Sequence, residues 1–239
     1  RDHLVQANMV YPGAGCLAMA IEGMRQISVS ESSPLPRIRG YRLRHIEITR
    51  ALIIPDTTDG VEVQLLLQPP TSRLAPNWRE FHISSATTDG DWVEHCHGLV
   101  GVDTEELPST QDPTIRLPST ARIHLNSTDG VYFRSIEPAE MFRTLRKAGI
   151  HHGPLFQNLS SVRAGSNKAM ASILSVDSTA TQSTSSDHVL HPITLDSVFQ
   201  LAYAALSKDA QRETGAAIPT SIKDMYISDA ISRESNHAF

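Results

Sequence analysis

The stretch His3-Leu-Val-Gln-Ala-Asn-Met-Val-Tyr-Pro-Gly-Ala-Gly-Cys-Leu-Ala-Met-Ala-Ile-Glu-Gly-Met24 decides the fold. Its first part is an extended, mostly apolar run holding a single histidine, His3. Pro12 and Gly13-Ala-Gly15 break that run. From Ala14 to Ile27 the spacing then predicts a helix with Cys16, Leu17, Met19, Ala20, Ile21 and Met24 around nearly its whole circumference. A helix that is apolar on all sides has to be buried. Proline suits a helix start, where its missing N–H is no loss. The unused N–H groups of Gly13 to Gly15 are then expected to point toward whatever lies beside His3, with the positive end of the helix dipole behind them. A lone histidine in such a run is also compatible with an ordinary strand residue, so a partner has to be found elsewhere.

The only comparable stretch further along is Pro192 to Leu206. Ile193, Leu195, Val198, Phe199, Leu201, Ala202 and Ala205 make a second nearly all-apolar helix. Asp196 and Gln200 lie four residues apart, on one face of that rod. A carboxylate on a buried helix is costly unless it is paired, bound or protonated, which makes Asp196 the second candidate for chemistry.

Strand-like runs follow the first helix. After a loop from Ser28 to Pro36 come Tyr41 to Pro55, Val61 to Gln68, Trp78 to Thr87 and Trp92 to Val102. The last two flank Thr88-Asp-Gly-Asp91, a strong hairpin signal. One buried helix followed by an antiparallel meander fits a sheet wrapped around a central helix, the hot-dog arrangement. Residues 103–130 turn rich in Pro, Ser, Thr and Asp and read as a linker. Glu137 to Ala148 reads as a short helix with basic residues at its C-terminus. Strands are expected from Ile150 to Arg163 and from Ala169 to Val176, a Ser/Thr-rich loop from Asp177 to Asp187, and a last strand from Ile218 to Ser228. Each half thus carries one proline-led buried helix with strands around it. The expected class is α+β, a double hot dog: residues 1–102, a linker at 103–130, and residues 131–239. The chain opens inside a motif and stops soon after a strand begins, so it reads as a piece of something larger, short of a first strand and of its last ones.

Composition narrows the function. The 239 residues are 40% apolar and 20% charged with a net charge of −5. No basic face is evident, which argues against nucleic acid. No apolar run reaches the ~20 residues of a membrane span, and no signal peptide is seen; a cytoplasmic setting is expected. Cys16 and Cys96 read as buried thiols in preference to a disulfide. His95 and His97 alternate on one strand and should face the same side. With no third ligand at a suitable spacing, no metal site is assigned. No phosphate-binding glycine loop and no nucleophile motif is recognisable.

Several motifs, in order, resemble those of polyketide synthase dehydratase domains. His3-x-x-x-Ala7-x-x-x-x-Pro12 is similar to the family's His-x-x-x-Gly-x-x-x-x-Pro, with alanine at position 7 in place of glycine. Trp92-Val-Glu-His-Cys-His-Gly98 resembles a strand of the family. His151-His152-Gly153-Pro154-Leu155-Phe156 is similar to Tyr-Gly-Pro-x-Phe, with His152 in the tyrosine's place. His191-Pro192 and Asp196-x-x-x-Gln200 resemble the Asp-x-x-x-Gln element, and Ala217-Ile218-Pro219-Thr220 is a weaker likeness to a later one. The flavour is that of iterative, highly reducing fungal synthases.

The resemblance implies a hydro-lyase that dehydrates a β-hydroxyacyl thioester. It implies His3 as base, Asp196 as acid, and Gln200 orienting Asp196. A backbone N–H at Gly13 would stabilise the thioester oxygen, with Tyr11 and Pro12 beside it. Gly153, Pro154, Phe156 and Phe199 would line the substrate channel. It implies no metal and no organic cofactor, since the substrate arrives on the phosphopantetheine arm of an acyl carrier protein. The implied partners are that carrier and the neighbouring synthase domains, and a homodimer through the parent synthase is compatible with it. A product-template-type cyclase of the same fold and a catalytically silent scaffolding module are the alternatives. The spacing of Gln200 after Asp196 favours the dehydratase.

Overall fold

The computed structural model describes residues 1–31, 37–71, 77–104, 133–165, 167–174, 188–206 and 218–229. The expected linker at 103–130 lies almost wholly outside them, and the expected loop at 177–187 and the stretch 32–36 lie entirely outside them.

The opening run is a hairpin, not a single extended segment. Strand β1 (His3–Val5) pairs antiparallel with β2 (Asn8–Tyr11), with Val5 opposite Asn8. Gln6 and Ala7 form the two-residue turn, at φ 48° and 68°. Two positive φ values are what a tight turn between right-twisted strands requires. They also give a physical reason for glycine at position 7 in the motif, since an L side chain in that region costs about 1 kcal/mol or more. Ala7→Gly is therefore expected to stabilise the domain by about 1 kcal/mol, or roughly 2–4 °C in Tm. A thermal melt showing a lower Tm would contradict the strain assigned to this turn.

Helix α1 (Gly13–Glu31) starts where Pro12 ends β2 and runs four residues beyond the expected stop at Ile27. Ser28 to Glu31, expected as loop, are helical, and the Ser28 hydroxyl donates back to the Met24 carbonyl at 2.8 Å. The run Tyr41 to Pro55, expected as one strand, is two. Strand β3 (Ile38–Ile48) enters the main sheet, whereas β4 (Leu52–Ile53) turns away to pair with β2. Strands β5 (Val63–Gln68), β6 (Trp78–Ala86) and β7 (Trp92–Thr104) complete the meander, with the 87–91 turn where Asp-Gly placed it.

The second half supplies β8 (Arg134–Ser135), α2 (Pro138–Lys147), β9 (Ile150–His152), a single 3-10 turn at Pro154–Phe156, β10 (Leu159–Gly165), β11 (Lys168–Ile173), α3 (Pro192–Ala205) and β12 (Ser221–Ser228). The strands form three antiparallel sheets, in the orders β12-β3-β7-β6-β5, β4-β2-β1-β9 and β11-β10-β8. Leu17, Ile21 and Met24 of α1 pack on the inner face of the five-stranded sheet, among Leu43, Phe81, Ile83 and Val100. Tyr203 and Ala204 of α3 join Met141, Phe142, Leu145 and Val162 in a second core. The architecture is a double hot dog, with α1 and α3 in contact at its centre.

The two halves are less separate than their order in the chain suggests. Strand β12, expected in the second unit, pairs along its length with β3 of the first, and Arg42 and Arg44 both bind Asp224 across that seam at 3.0 and 3.2 Å. Strand β9 of the second half pairs with β1 of the first, with His3 directly opposite His152. Hydrophobic periodicity tells which face of a strand is buried. It does not name the neighbouring strand.

A register shift in β7 overturns one expectation. Ile83 pairs with Cys96, yet Ser84 pairs with Glu94, so His95 is an extra residue. The bulge breaks the alternation. His95 and Cys96 are both buried, while His97 joins Glu94 and His82 on the other face, with Glu94 2.8 Å from His97 and 2.6 Å from His82. His95 and His97 do not share a side.

Candidate active site

The seam between the halves encloses a cavity of about 250 Å³. His3, Tyr11 and Gly13 line it from the first half, and His152, Asp196, Phe199 and Gln200 from the second. The imidazole and the carboxyl singled out in sequences nearly 200 residues apart therefore face one space.

His3 is placed by β1, which is central in its sheet. Its Nδ1 lies 2.8 Å from the Val10 carbonyl across the hairpin. A carbonyl only accepts, so Nδ1 carries the proton and Nε2 is left with a bare lone pair. The hairpin thus sets the tautomer as well as the position. Phe156 packs against the ring, centroid to centroid 5.4 Å.

Asp196 sits one turn into α3, and its side chain is only 8% exposed. Helical geometry brings Gln200 beneath it, and the Gln200 amide donates to Oδ2 at 2.8 Å. The same nitrogen donates to the Phe156 carbonyl at 3.0 Å, which anchors it to the 3-10 turn. Burial pushes the Asp196 carboxyl above the ordinary aspartate range, opposed by the nearby His3 and by the Gln200 hydrogen bond. A buried carboxyl held toward its neutral form can donate a proton.

His152 is a cavity residue that sequence reasoning treated as filling a tyrosine's structural place. Its side chain is 5% exposed, and Nε2 faces Asp196 Oδ2 across 3.7 Å. Burial holds its pKa down to about 4, with the fields of His3 and His151 adding to the effect. It is therefore a neutral imidazole at ordinary pH. Among the described residues, one group of His, Cys, Asp and Glu side chains converges closely enough to hold a metal ion: His3, His152 and Asp196, with ligand atoms all within 4.8 Å of one another. The signal for His152 in the sequence was its place within a motif, read for backbone shape and not for chemistry.

His95 is the second residue missed. It also lines the cavity. Its Nδ1 lies 3.2 Å from the Arg50 carbonyl and its Nε2 2.7 Å from the Ser85 hydroxyl, so Nδ1 donates to the carbonyl and Nε2 accepts from the serine. Only the bulge turns it inward, and alternation counted along the strand cannot reveal a bulge.

The remaining expected residues divide. Phe199 lines the cavity, whereas Pro12, Gly153, Pro154 and Phe156 are not among its lining residues. Gly153 donates its N–H to the Asp2 carbonyl at 2.7 Å. Phe156 acts through its ring on His3 and its carbonyl on Gln200. At the start of α1, the Gly15 N–H is not free, since it donates to the Pro12 carbonyl at 2.8 Å. A Cβ on Gly15 would come within 2.5–2.7 Å of the Tyr11 ring and hydroxyl, so the glycine lets Tyr11 pack close to the helix. Cys16 and Cys96 are free thiols; burial raises Cys16, at the cavity wall, to about 11. No helix among the described residues is long and apolar enough to cross a membrane.

Two family models match the chain: residues 1–86 fit the polyketide synthase dehydratase domain, and residues 121–238 fit the polyketide synthase dehydratase N-terminal domain. The highly reducing polyketide synthase sorA of Penicillium rubens is 37% identical over 242 residues, which cover 100% of this chain and 9% of that protein. The chain thus spans about a tenth of the length of the curated relatives it matches. Among solved structures, inactive Asp-to-Asn and His-to-Phe mutants of the CurK dehydratase superpose with a TM-score of 0.65 at 22% identity, covering 93% of this chain and 69% of theirs. The dehydratase domain of PpsC from Mycobacterium tuberculosis, in complex with C12:1-CoA, gives 0.62 at 18% identity, covering 93% and 70%. The fold is shared with these domains, and with both sequence models and the full-length match in sorA the chain belongs to the polyketide synthase dehydratase domains.

Proposed function

We propose that this domain eliminates water from a β-hydroxyacyl thioester carried on the phosphopantetheine arm of an acyl carrier protein, giving the α,β-unsaturated thioester. The observation that carries the reading is the meeting of an imidazole and a protonatable carboxyl in one cavity, with a ring nitrogen of His3 and an oxygen of Asp196 within 4.8 Å. The two bonds that change in such an elimination are on adjacent carbons, so acid and base have to be this close.

His3 Nε2 takes the α-proton. As that bond breaks, charge builds on the thioester oxygen, and the Gly13 N–H at the start of α1 is the candidate donor to it. One well-placed donor of this kind contributes about 3 kcal/mol. Asp196 delivers its proton to the β-hydroxyl, which leaves as water while the carbon–carbon double bond forms. His3, now protonated, and Asp196, now ionised, are reset by returning the proton through the departing water or solvent. Gln200 keeps the Asp196 carboxyl aimed throughout. No electrons are exchanged, so the step calls for no redox cofactor.

Support comes from the known relatives as well. CurK loses activity when an aspartate or a histidine is replaced, and the PpsC domain binds an acyl-CoA. The carrier protein and the neighbouring domains of a cytoplasmic synthase, itself a candidate homodimer, are the proposed partners. The purified domain, given a short β-hydroxyacyl thioester, is expected to release one water by mass and to develop α,β-unsaturated thioester absorbance. Recovery of unchanged substrate, or of a cyclised product from a poly-β-keto thioester, would refute dehydration and favour the silent module or the cyclase.

A further inference from the structure

His152 has no role in the elimination as written, and its surroundings are unusual for a buried imidazole. Its Nδ1 has no hydrogen-bond partner, and its Nε2 stands 3.7 Å from Asp196 Oδ2, too far for a hydrogen bond. A buried polar ring left in this condition is costly. Two imidazoles and a carboxyl, each able to offer a lone pair when unprotonated, thus converge, with a ring nitrogen of His3 and of His152 and an Asp196 oxygen all within 4.8 Å of one another.

We propose that His3, His152 and Asp196 form a binding site for a divalent transition-metal ion, Zn2+ by the chemistry of its donors, and that the bound ion inhibits the domain. Two imidazole nitrogens and one carboxylate oxygen, with a fourth position open, are a common zinc donor set. At metal–ligand distances of about 2.0–2.1 Å, tetrahedral geometry puts neighbouring ligands roughly 3.3 Å apart. The 3.7 Å between His152 and Asp196 then shrinks by a few tenths of an ångström, and the pairs with His3, within 4.8 Å, close by up to about 1.5 Å as the side chains turn onto the ion. All three side chains line the cavity.

The supporting hydrogen bonds are also in place. His3 donates its other ring N–H to the Val10 carbonyl, and Asp196 is held by Gln200. Such outer bonds orient ligands and commonly set metal affinity. The third ligand, His152, stands where the motif that this segment resembles carries tyrosine. Inhibition follows from the shared atoms. A metal on His3 Nε2 occupies the lone pair that takes the α-proton, and on Asp196 it displaces the proton to be donated.

The test uses the tag-free 239-residue chain after chelator treatment. Co2+, added as a spectroscopic probe, is expected to give the visible d–d bands of a four-coordinate site, and Zn2+ to bind at one equivalent by calorimetry and bleach them. His152→Phe is expected to weaken Zn2+ binding by at least about 100-fold, more than loss of an outer-shell partner costs. His152→Tyr serves as a second variant should the phenylalanine protein fail to fold. Replacing the surface pair, His82→Ala with His97→Ala, should leave binding unchanged. Binding that persists in both His152 variants, or that disappears with the surface pair, overturns the assignment, as does Zn2+ that raises turnover. Metal binding is read without substrate, so a chain that binds Zn2+ but dehydrates nothing counts against the proposed reaction and not against the site.

Discussion

His3→Ala is expected to lower kcat for dehydration by roughly 10³-fold, within the 10²–10⁴ range of a positioned acid–base group, with the domain still folded. The loss should fall on kcat more than on KM, because the imidazole meets the α-proton only as it leaves. The fold should survive for local reasons. His3 is only partly buried, its ring opens on an existing cavity, and the backbone pairing of β1 with β2 and β9 does not involve the side chain. The one side-chain hydrogen bond lost is that to the Val10 carbonyl, worth about 1 kcal/mol. Initial rates on a β-hydroxyacyl thioester, with circular dichroism melts of the same samples, measure both. A folded mutant that turns over at the wild-type rate would remove His3 as the base.

Asp196→Asn is expected to cost roughly 10²–10³ in kcat and to make the domain more stable. Asparagine keeps the shape and can still accept from Gln200, but it has no proton of useful acidity. The stability gain has a definite sign. Burial raises the Asp196 carboxyl from its ordinary value of 3.8, so the folded state resists ionising it. That penalty is absent below the ordinary value and grows as pH rises through the raised one. The Tm of the mutant minus that of the wild type should therefore widen from acid toward neutral pH, by about 2–4 °C for each ~1 kcal/mol. A gap that narrows instead would mean that the native fold stabilises the ionised carboxylate, which is incompatible with its use as an acid. Loss of activity with gain of stability is the pattern of a site strained for its chemistry.

How far these residues could be read in advance differs from one to the next. Asp196 and Gln200 were legible because a helix has a fixed period: four residues apart means one face, and Oδ2 does meet the Gln200 amide. The two apolar helices and the Asp-Gly hairpin were legible for the same local reason. The bulge at His95 was not, because one inserted residue shifts every later side chain to the other face without leaving a mark in composition. The turn at Gln6-Ala7 was also hidden, since neither residue advertises a positive φ. Gly153, Pro154 and Phe156, expected along a substrate channel, are not among the residues that line the cavity. Their motif indicates that a chain bends there but not how deep the bend lies.

The sequence by itself determined two buried helices, their proline starts, the strands' alternation and the residue types able to move a proton. These are properties of neighbours along the chain, set by periods of two and of 3.6. Only the tertiary structure decided that β1 lies beside β9 and β12 beside β3, that the Val10 carbonyl sets the tautomer of His3, and that His152 stands close to both His3 and Asp196. Apart from the His3–Val10 bond inside one hairpin, those are contacts between segments tens to nearly 200 residues apart. Burial makes such contacts worthwhile, but many strands are equally apolar, so only the packed whole selects which of them meet.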